Sequence, residues 1–235
     1  MPSKNRFYKN KNSIMKKHFF VAITLLLMAG SVSAQYYRRP QPRRHERTYD
    51  NNFRPAFSII GGINVANVIK SSGNYQFDTD TKIGANVGIG LDLPILYPLS
   101  FAPEVLYSQK GYTAQTGYGQ FKQRADFIDV PLLAKFHVVP GFNIVVGPQI
   151  SFLVSTTNTY NNGFSQSSQQ YFNNTTDGYN KTLIGGVAGV SFDLSRNVEL
   201  RARYSLDLNR INDDGDIYVP NYRNQAWQFG LGFRF

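Results

Sequence analysis

Charged side chains recur at every second position along several stretches of this 235-residue chain, each set facing away from a run of aliphatic or aromatic residues. Glu199, Arg201, Arg203 and Asp207 alternate with Val198, Leu200, Ala202, Tyr204, Leu206 and Leu208, and Asp129, Lys135 and His137 alternate with Ile128, Val130, Ala134, Phe136 and Val138. Over the whole chain this polar face carries six acids (Asp92, Glu104, Asp129, Asp193, Glu199, Asp207) and six bases (Lys82, Lys110, Lys135, Arg201, Arg203, Arg234). Charges withdrawn from water persist only when paired and hydrogen-bonded. The pattern therefore predicts an interior network of Glu104, Asp129, Lys135, Glu199, Arg201, Arg203 and Arg234. Glu104 and Lys135 are expected at one depth on adjacent strands, and Arg201 or Arg203 near Gly232 or Arg234. Such a network would act as a plug of paired charges or as a narrow ion or proton path.

Other chemistry is thin. There is no cysteine, which excludes disulfides, thiolate metal sites, cysteine nucleophiles and a cysteine-borne lipid anchor. Of three histidines, His18 and His45 precede the strand-forming region and His137 stands alone within it, too few for a transition-metal cluster. A Ser-His-Asp triad would have to use His137, and no Gly-x-Ser-x-Gly elbow accompanies it. Gly88 and Gly90 lie inside a strand and form no phosphate cradle. Asp213, Asp214 and Asp216 could hold calcium at a loop tip or form a solvated acidic turn. No catalytic residue, cofactor or metal site is assigned, and the chain reads as a non-enzyme.

The elements that must position the charges follow from period-two alternation. Eight strands are expected over 57–66, 82–93, 101–110, 127–138, 142–154, 182–194, 198–208 and a last one ending at Phe235. In the last, Trp227, Phe229, Leu231, Phe233 and Phe235 face one way and Gln228, Gly230, Gly232 and Arg234 the other. The apolar faces carry no Lys, Arg, Asp or Glu; one such charge at a bilayer midplane would cost roughly 2–4 kcal/mol. Connections alternate long and short, with 67–81, 111–126, 155–181 and 209–224 long and 94–100, 139–141 and 195–197 short. That asymmetry suits short periplasmic turns and long outer loops. Two aromatic girdles are expected, one at Tyr97, Phe101, Phe142, Phe192, Phe233 and Phe235, the other at Tyr107, Phe152, Tyr204 and Trp227. The fold class is an all-β, eight-stranded antiparallel transmembrane β-barrel over 55–235.

Residues 1–34 read as a signal peptide. Met15, Lys16, Lys17 and His18 are followed by an apolar run over 19–29, too short to span a bilayer as a helix, and then by Val32 and Ala34 at the cleavage positions. The start is Met1 or Met15. Residues 35–54, rich in Arg, Pro and Gln, are expected to be a disordered basic periplasmic tail. The net charge of +10 belongs to these leaders. Residues 1–34 hold six bases and no acid, 35–54 six bases and two acids, and 55–235 thirteen of each. A neutral domain lacks the basic face that nucleic acid requires.

The stretches PEVLYSQKGY (103–112), FIDVPLLAKF (127–136) and ELRARYSLDL (199–208), in that order and with the terminal Phe235, resemble the small outer-membrane β-barrel family called porin-like or PorT-type. The resemblance implies insertion into the cell outer membrane by the assembly machinery, with Trp227, Phe229, Phe233 and Phe235 carrying the insertion signal. Expected partners are outer-membrane lipid, that machinery, and an extracellular ligand at loops 111–126 and 155–181. The function expected is structural or surface interaction through the long loops; the alternatives are a narrow porin-like channel or part of an export assembly, and an enzyme on lipid using His137 or a loop acid.

Overall fold

Alternating β-branched, aromatic and polar residues favour extended backbone whose two faces meet different surroundings. The structure, a computed structural model, describes residues 53–70, 79–116, 119–161, 166–172, 180–211 and 222–235. The signal segment, the tail up to residue 52 and the acidic tip at Asp213, Asp214 and Asp216 lie outside the described residues. Among the described residues there are nine strands: β1 Ala56–Lys70, β2 Thr79–Leu96, β3 Leu99–Thr116, β4 Gly119–Val139, β5 Phe142–Asn161, β6 Gln166–Phe172, β7 Thr182–Asp193, β8 Val198–Asp207 and β9 Tyr222–Arg234.

All pairings are antiparallel. Each of β1 to β5 pairs with the next, the lower half of β5 pairs with β7, and β7, β8 and β9 follow in order. β9 returns to β1 with Gly62 opposite Gly230 and closes the ring at eight strands. The ninth, β6, pairs only with the upper half of β5, with Ser155 opposite Phe172 and Asn161 opposite Gln166. Three tight turns lie at one end: Tyr97–Pro98, Pro140–Gly141 and the segment 194–197. Gly141 has φ of 82°, a left-handed conformation that favours glycine. At 194–197 the Ser195 hydroxyl accepts the backbone N–H of Asn197 and of Val198. Close approach inside the wall also demands glycine: a Cβ at Gly88 would lie 2.0 Å from the Val105 carbonyl oxygen.

The outer face is apolar. Ile83, Val87, Ile144, Val146, Ile184, Leu200, Phe229 and Leu231 are all exposed, Ile83 by 70%. A continuous belt of this kind needs hydrocarbon around it. Ile83 to Leu93 on β2, and Ile128 to Val138 on β4, each span ten residue steps, which at roughly 45° tilt is about 24 Å of height, close to the ~25 Å apolar band of a transmembrane barrel. At the short-turn end Phe142 packs on Phe192 with ring centroids 4.9 Å apart. At the other end Tyr204 packs on Trp227 at 5.1 Å.

The long connections are shorter than the sequence suggested. β3 runs on to Thr116, β4 begins at Gly119, β5 continues to Asn161, and β6 takes up part of the segment expected to be one loop over 155–181. β4 has 21 residues and β5 has 20, about twice what crosses a bilayer. Beyond the lipid neither face has to be greasy, so the ladder of hydrogen bonds continues while the apolar alternation stops.

Candidate functional site

The lumen is filled from the short-turn end upward by side chains at the inward positions of each strand. Arg234 meets Asp193 at 2.5 Å. Beside them, the His137 Nε2 and the Ser100 hydroxyl share a hydrogen bond of 3.0 Å, and Asn143 donates to the Ser191 hydroxyl at 3.3 Å. Phe53, just ahead of β1, reaches β4 across this mouth. Its ring meets those of His137 and Tyr97 edge-on at 5.3 and 5.4 Å. His137 is thus buried, and the serine beside it stands with no access for a substrate.

One layer higher, Lys135 bridges Asp92 at 2.9 Å and Glu199 at 3.4 Å. Next, Glu104 receives two guanidinium groups. Arg203 donates to both its carboxylate oxygens, at 2.7 and 2.9 Å, and Arg201 donates to Oε1. All six of these side chains are nearly inaccessible to solvent. The register places Arg201 opposite Gly230 and Arg203 opposite Gln228, and the Arg201 side chain lies beside Gly232 as expected, its Cδ 3.5 Å from where a Cβ there would stand. Lys135, expected at the depth of Glu104, stands opposite Ser100, four residues lower on β3; register between strands is not encoded in single-strand periodicity. The Nε–H groups of Arg201 and Arg203 and the Gln228 amide nitrogen find no acceptor on the protein. They border two cavities of about 20 Å³ each, space for a water molecule or two.

Above this, Asn86 donates to Asn64 at 2.6 Å, and Asn64 donates to Ser108 at 2.9 Å. Lys110 comes next. It meets Asp129 at 3.1 Å, Asp207 at 3.9 Å and the Ser151 hydroxyl at 3.4 Å, and Asn224 donates to Asp207 at 2.9 Å. The other side of the Lys110 ammonium lies 4.9 Å from the centre of the Phe127 ring. From there upward the lumen is apolar: Phe127, Leu153, Leu183, Ile211, Tyr112 and Tyr222 form one buried cluster. The rings of Tyr112 and Tyr222 meet at 5.3 Å, and the Tyr222 hydroxyl donates to Gln123. Asp129 therefore joins Lys110 and Asp207 in a layer apart from Glu104, while Arg234 serves the short-turn mouth. The sequence reading placed Asp92, Lys110 and Asp207 among the inward charges and left them out of the network. It had no signal for the apolar plug, whose members come from six separate segments.

Lys82, half-buried near the upper end of β2, stands opposite the fully buried Ala66 of β1, on the inward face that the alternation gave it and apart from the interior pairs. Trp227, Phe229, Phe233 and Phe235 all stand exposed on the outer face of the last strand and just beyond it. Among the described residues, no group of three or more His, Asp or Glu is placed to hold a metal ion.

A protein-family model described as "Outer membrane protein beta-barrel domain" matches residues 41–213. Among solved structures, Ail, the attachment invasion locus protein of Yersinia pestis, is similar at 14% identity and a TM-score of 0.48, covering 77% of this chain and 99% of that one. Neisserial surface protein A is similar at 19% identity and a TM-score of 0.45, over 77% and 99%. OprG of Pseudomonas aeruginosa is similar at 13% identity and a TM-score of 0.37, over 77% and 96%. No curated protein matches the sequence.

Proposed function

We propose, since this chain belongs to the outer membrane protein β-barrel domain family and resides in the cell outer membrane, that its barrel is a closed, non-enzymatic mount which carries an interaction surface outside the cell. The observation that carries the proposal is the contrast between the filled lumen and the tall wall of β3 to β6. Ion pairs fill the lumen below and an apolar cluster fills it above, and the two cavities that border the Glu104 layer hold about 20 Å³ each. The strands β3, β4 and β5 continue past the lipid, and β6 forms the edge of their sheet with Gln166, Ser167, Ser168, Gln169 and Gln170 all exposed. An edge strand with polar, uncharged side chains offers backbone donors and acceptors to a partner that arrives extended. The ligand-facing regions are then 111–126 and 155–181, and they act as hairpin walls.

Insertion follows the same reading. The assembly machinery would engage β9, where Trp227, Phe229 and Phe233 present a continuous aromatic edge, with Phe235 packed 6.4 Å from Phe57 of β1 where the ring closes.

The porin-like or PorT-type alternative, a narrow channel or export component, needs a path past both closures. Planar-bilayer recordings on the reconstituted protein separate the two readings. No steady conductance is expected. A size-limited conductance that changes with Arg203→Ala would replace the interaction reading with the transport one. A second arm shortens the β5–β6 hairpin to a two-residue turn. Cells bearing the shortened, correctly inserted barrel should lose adhesion to surfaces that bind the parent; unchanged adhesion would remove the hairpin from the function.

A further inference from the structure

The geometry points to a second copy of this chain, standing on a facing membrane, as the extended partner of β6; the inference rests on the reading of the barrel as a mount for an interaction surface and names what that surface meets. β6 has seven residues and pairs with β5 along one side, from Ser155 opposite Phe172 to Asn161 opposite Gln166. It ends the sheet, and among the described residues no strand pairs with its other side. Natural edge strands are guarded by charge, proline or a bulge. None of Lys, Arg, Asp, Glu or Pro occurs from Ser155 to Thr176, and no register shift interrupts the pairing of β6 with β5. Gln166, Ser168 and Gln170 are exposed, and the Ser168 hydroxyl lies 3.2 Å from that of Thr159. An uncharged row of amides and hydroxyls holds nothing that selects a foreign strand, but each group both donates and accepts, so the row complements itself.

Strand tilt decides where the second copy can stand. Barrel strands lean roughly 45° from the membrane normal. For two β6 edges to meet in one membrane, one barrel must turn half a revolution about that normal. Its β6 then leans the opposite way, the two strands cross at roughly 90°, and no ladder forms. A half turn about an axis perpendicular to the sheet instead brings the edges together antiparallel, and it inverts the membrane normal. The second barrel therefore sits on an apposed surface. With that axis at Ser168, each Ser168 meets its copy and each Gln166 meets a Gln170. A charge at position 168 would meet itself. Ser168 stands opposite Thr159 and Thr159 opposite Lys122, six residues above Ile128. The axis then lies about 14 Å above the apolar band, and the two bands are held about 28 Å apart, an apposition open to surfaces whose sugar coat is thinner than that gap. One seven-residue ladder is a small contact. Many of them between two surfaces act together.

The test uses the full chain reconstituted in phospholipid vesicles of two colours. Two-colour clustering should be roughly tenfold higher when both populations carry the parent than when one is protein-free. Cryo-electron microscopy of the clusters should show the facing apolar bands about 28 Å apart. Ser168→Lys in both populations, or Ser168→Glu in both, sets like charges opposite each other and should lower clustering roughly tenfold. Ser168→Lys in one population against Ser168→Glu in the other should return it to within about twofold of the parent, which also shows that both variants are folded. Raised salt should narrow the difference between like and opposite charges. Equal clustering with protein-free vesicles, or a Lys–Glu mixture no better than the like-charged pairs, would overturn the assignment. Parent vesicles that stay apart yet still bind, through the β5–β6 hairpin, the surfaces that hold the parent would overturn self-pairing and leave the interaction reading standing. Adhesion that does not depend on the hairpin would then remove both.

Discussion

Below Lys110 the lumen holds the paired charges, with a small apolar cluster of Ala102, Leu133, Val145 and Val187 among them; above it, rings and aliphatic side chains fill the space. Lys110 itself touches both, bonded to Asp129 on one side and set over the Phe127 ring on the other. Both fillings occupy the lumen, but they depend on their members differently. Removing one partner of a buried ion pair leaves the other uncompensated, whereas trimming an apolar side chain leaves a gap that neighbours partly close. The lower half should therefore be all-or-none in its response to mutation, and the upper half graded.

The sharpest way to break this contrast is Glu104→Leu. It leaves Arg201 and Arg203 side by side without their carboxylate, and should lower unfolding stability by about 4 kcal/mol, read from urea titration of the reconstituted barrel. A loss below about 1 kcal/mol would mean the lower half tolerates trimming as the upper half does. Lys110→Met strands Asp129 and Asp207 together at the boundary and should cost about 3 kcal/mol or slightly more. Phe127→Ala, in the apolar half, is expected near 3 kcal/mol, with Phe127→Leu at about 1; a step with no gradation would contradict the distinction. Removing Glu104 and Arg203 together in favour of leucines should return the barrel to within about 1 kcal/mol of the parent, because one acid and one base leave together and Arg201 keeps Glu199 as a counter-charge. Gln169→Ala on β6, which faces water, should change stability by less than about 0.5 kcal/mol while testing the adhesion reading.

The membrane-crossing strands and their sidedness were legible because lipid and lumen impose opposite demands at alternate positions. Ile83, Val87 and Ile89 could face only hydrocarbon, and Glu104, Asp129 and Glu199 only the interior. Depth was less legible. Glu104 pairs with Arg201 and Arg203 as the network required, but Lys135 stands opposite Ser100 and not at the depth of Glu104, and Asp129 goes with Lys110, because register between strands is a property of the closed ring. The upper halves of β3, β4 and β5, and all of β6, were read as loops. Their outward Thr, Ser, Asn and Gln residues meet water and carry no apolar stripe, although Tyr112, Ala114 and Ala125 still face the buried cluster inside. Lys82 fits the alternation of an inward base, and its pairing with the fully buried Ala66 of β1 bears that out.

The continuity of β4 and β5 from lipid into the surroundings fixes the attitude of whatever they display. A recognition element on a tether must be oriented anew at each encounter. One that is a direct prolongation of the barrel wall keeps a constant tilt to the cell surface, so an arriving molecule meets the same aspect every time and little orientational freedom remains to be lost on contact. Stiffness in the membrane thereby becomes readiness outside it.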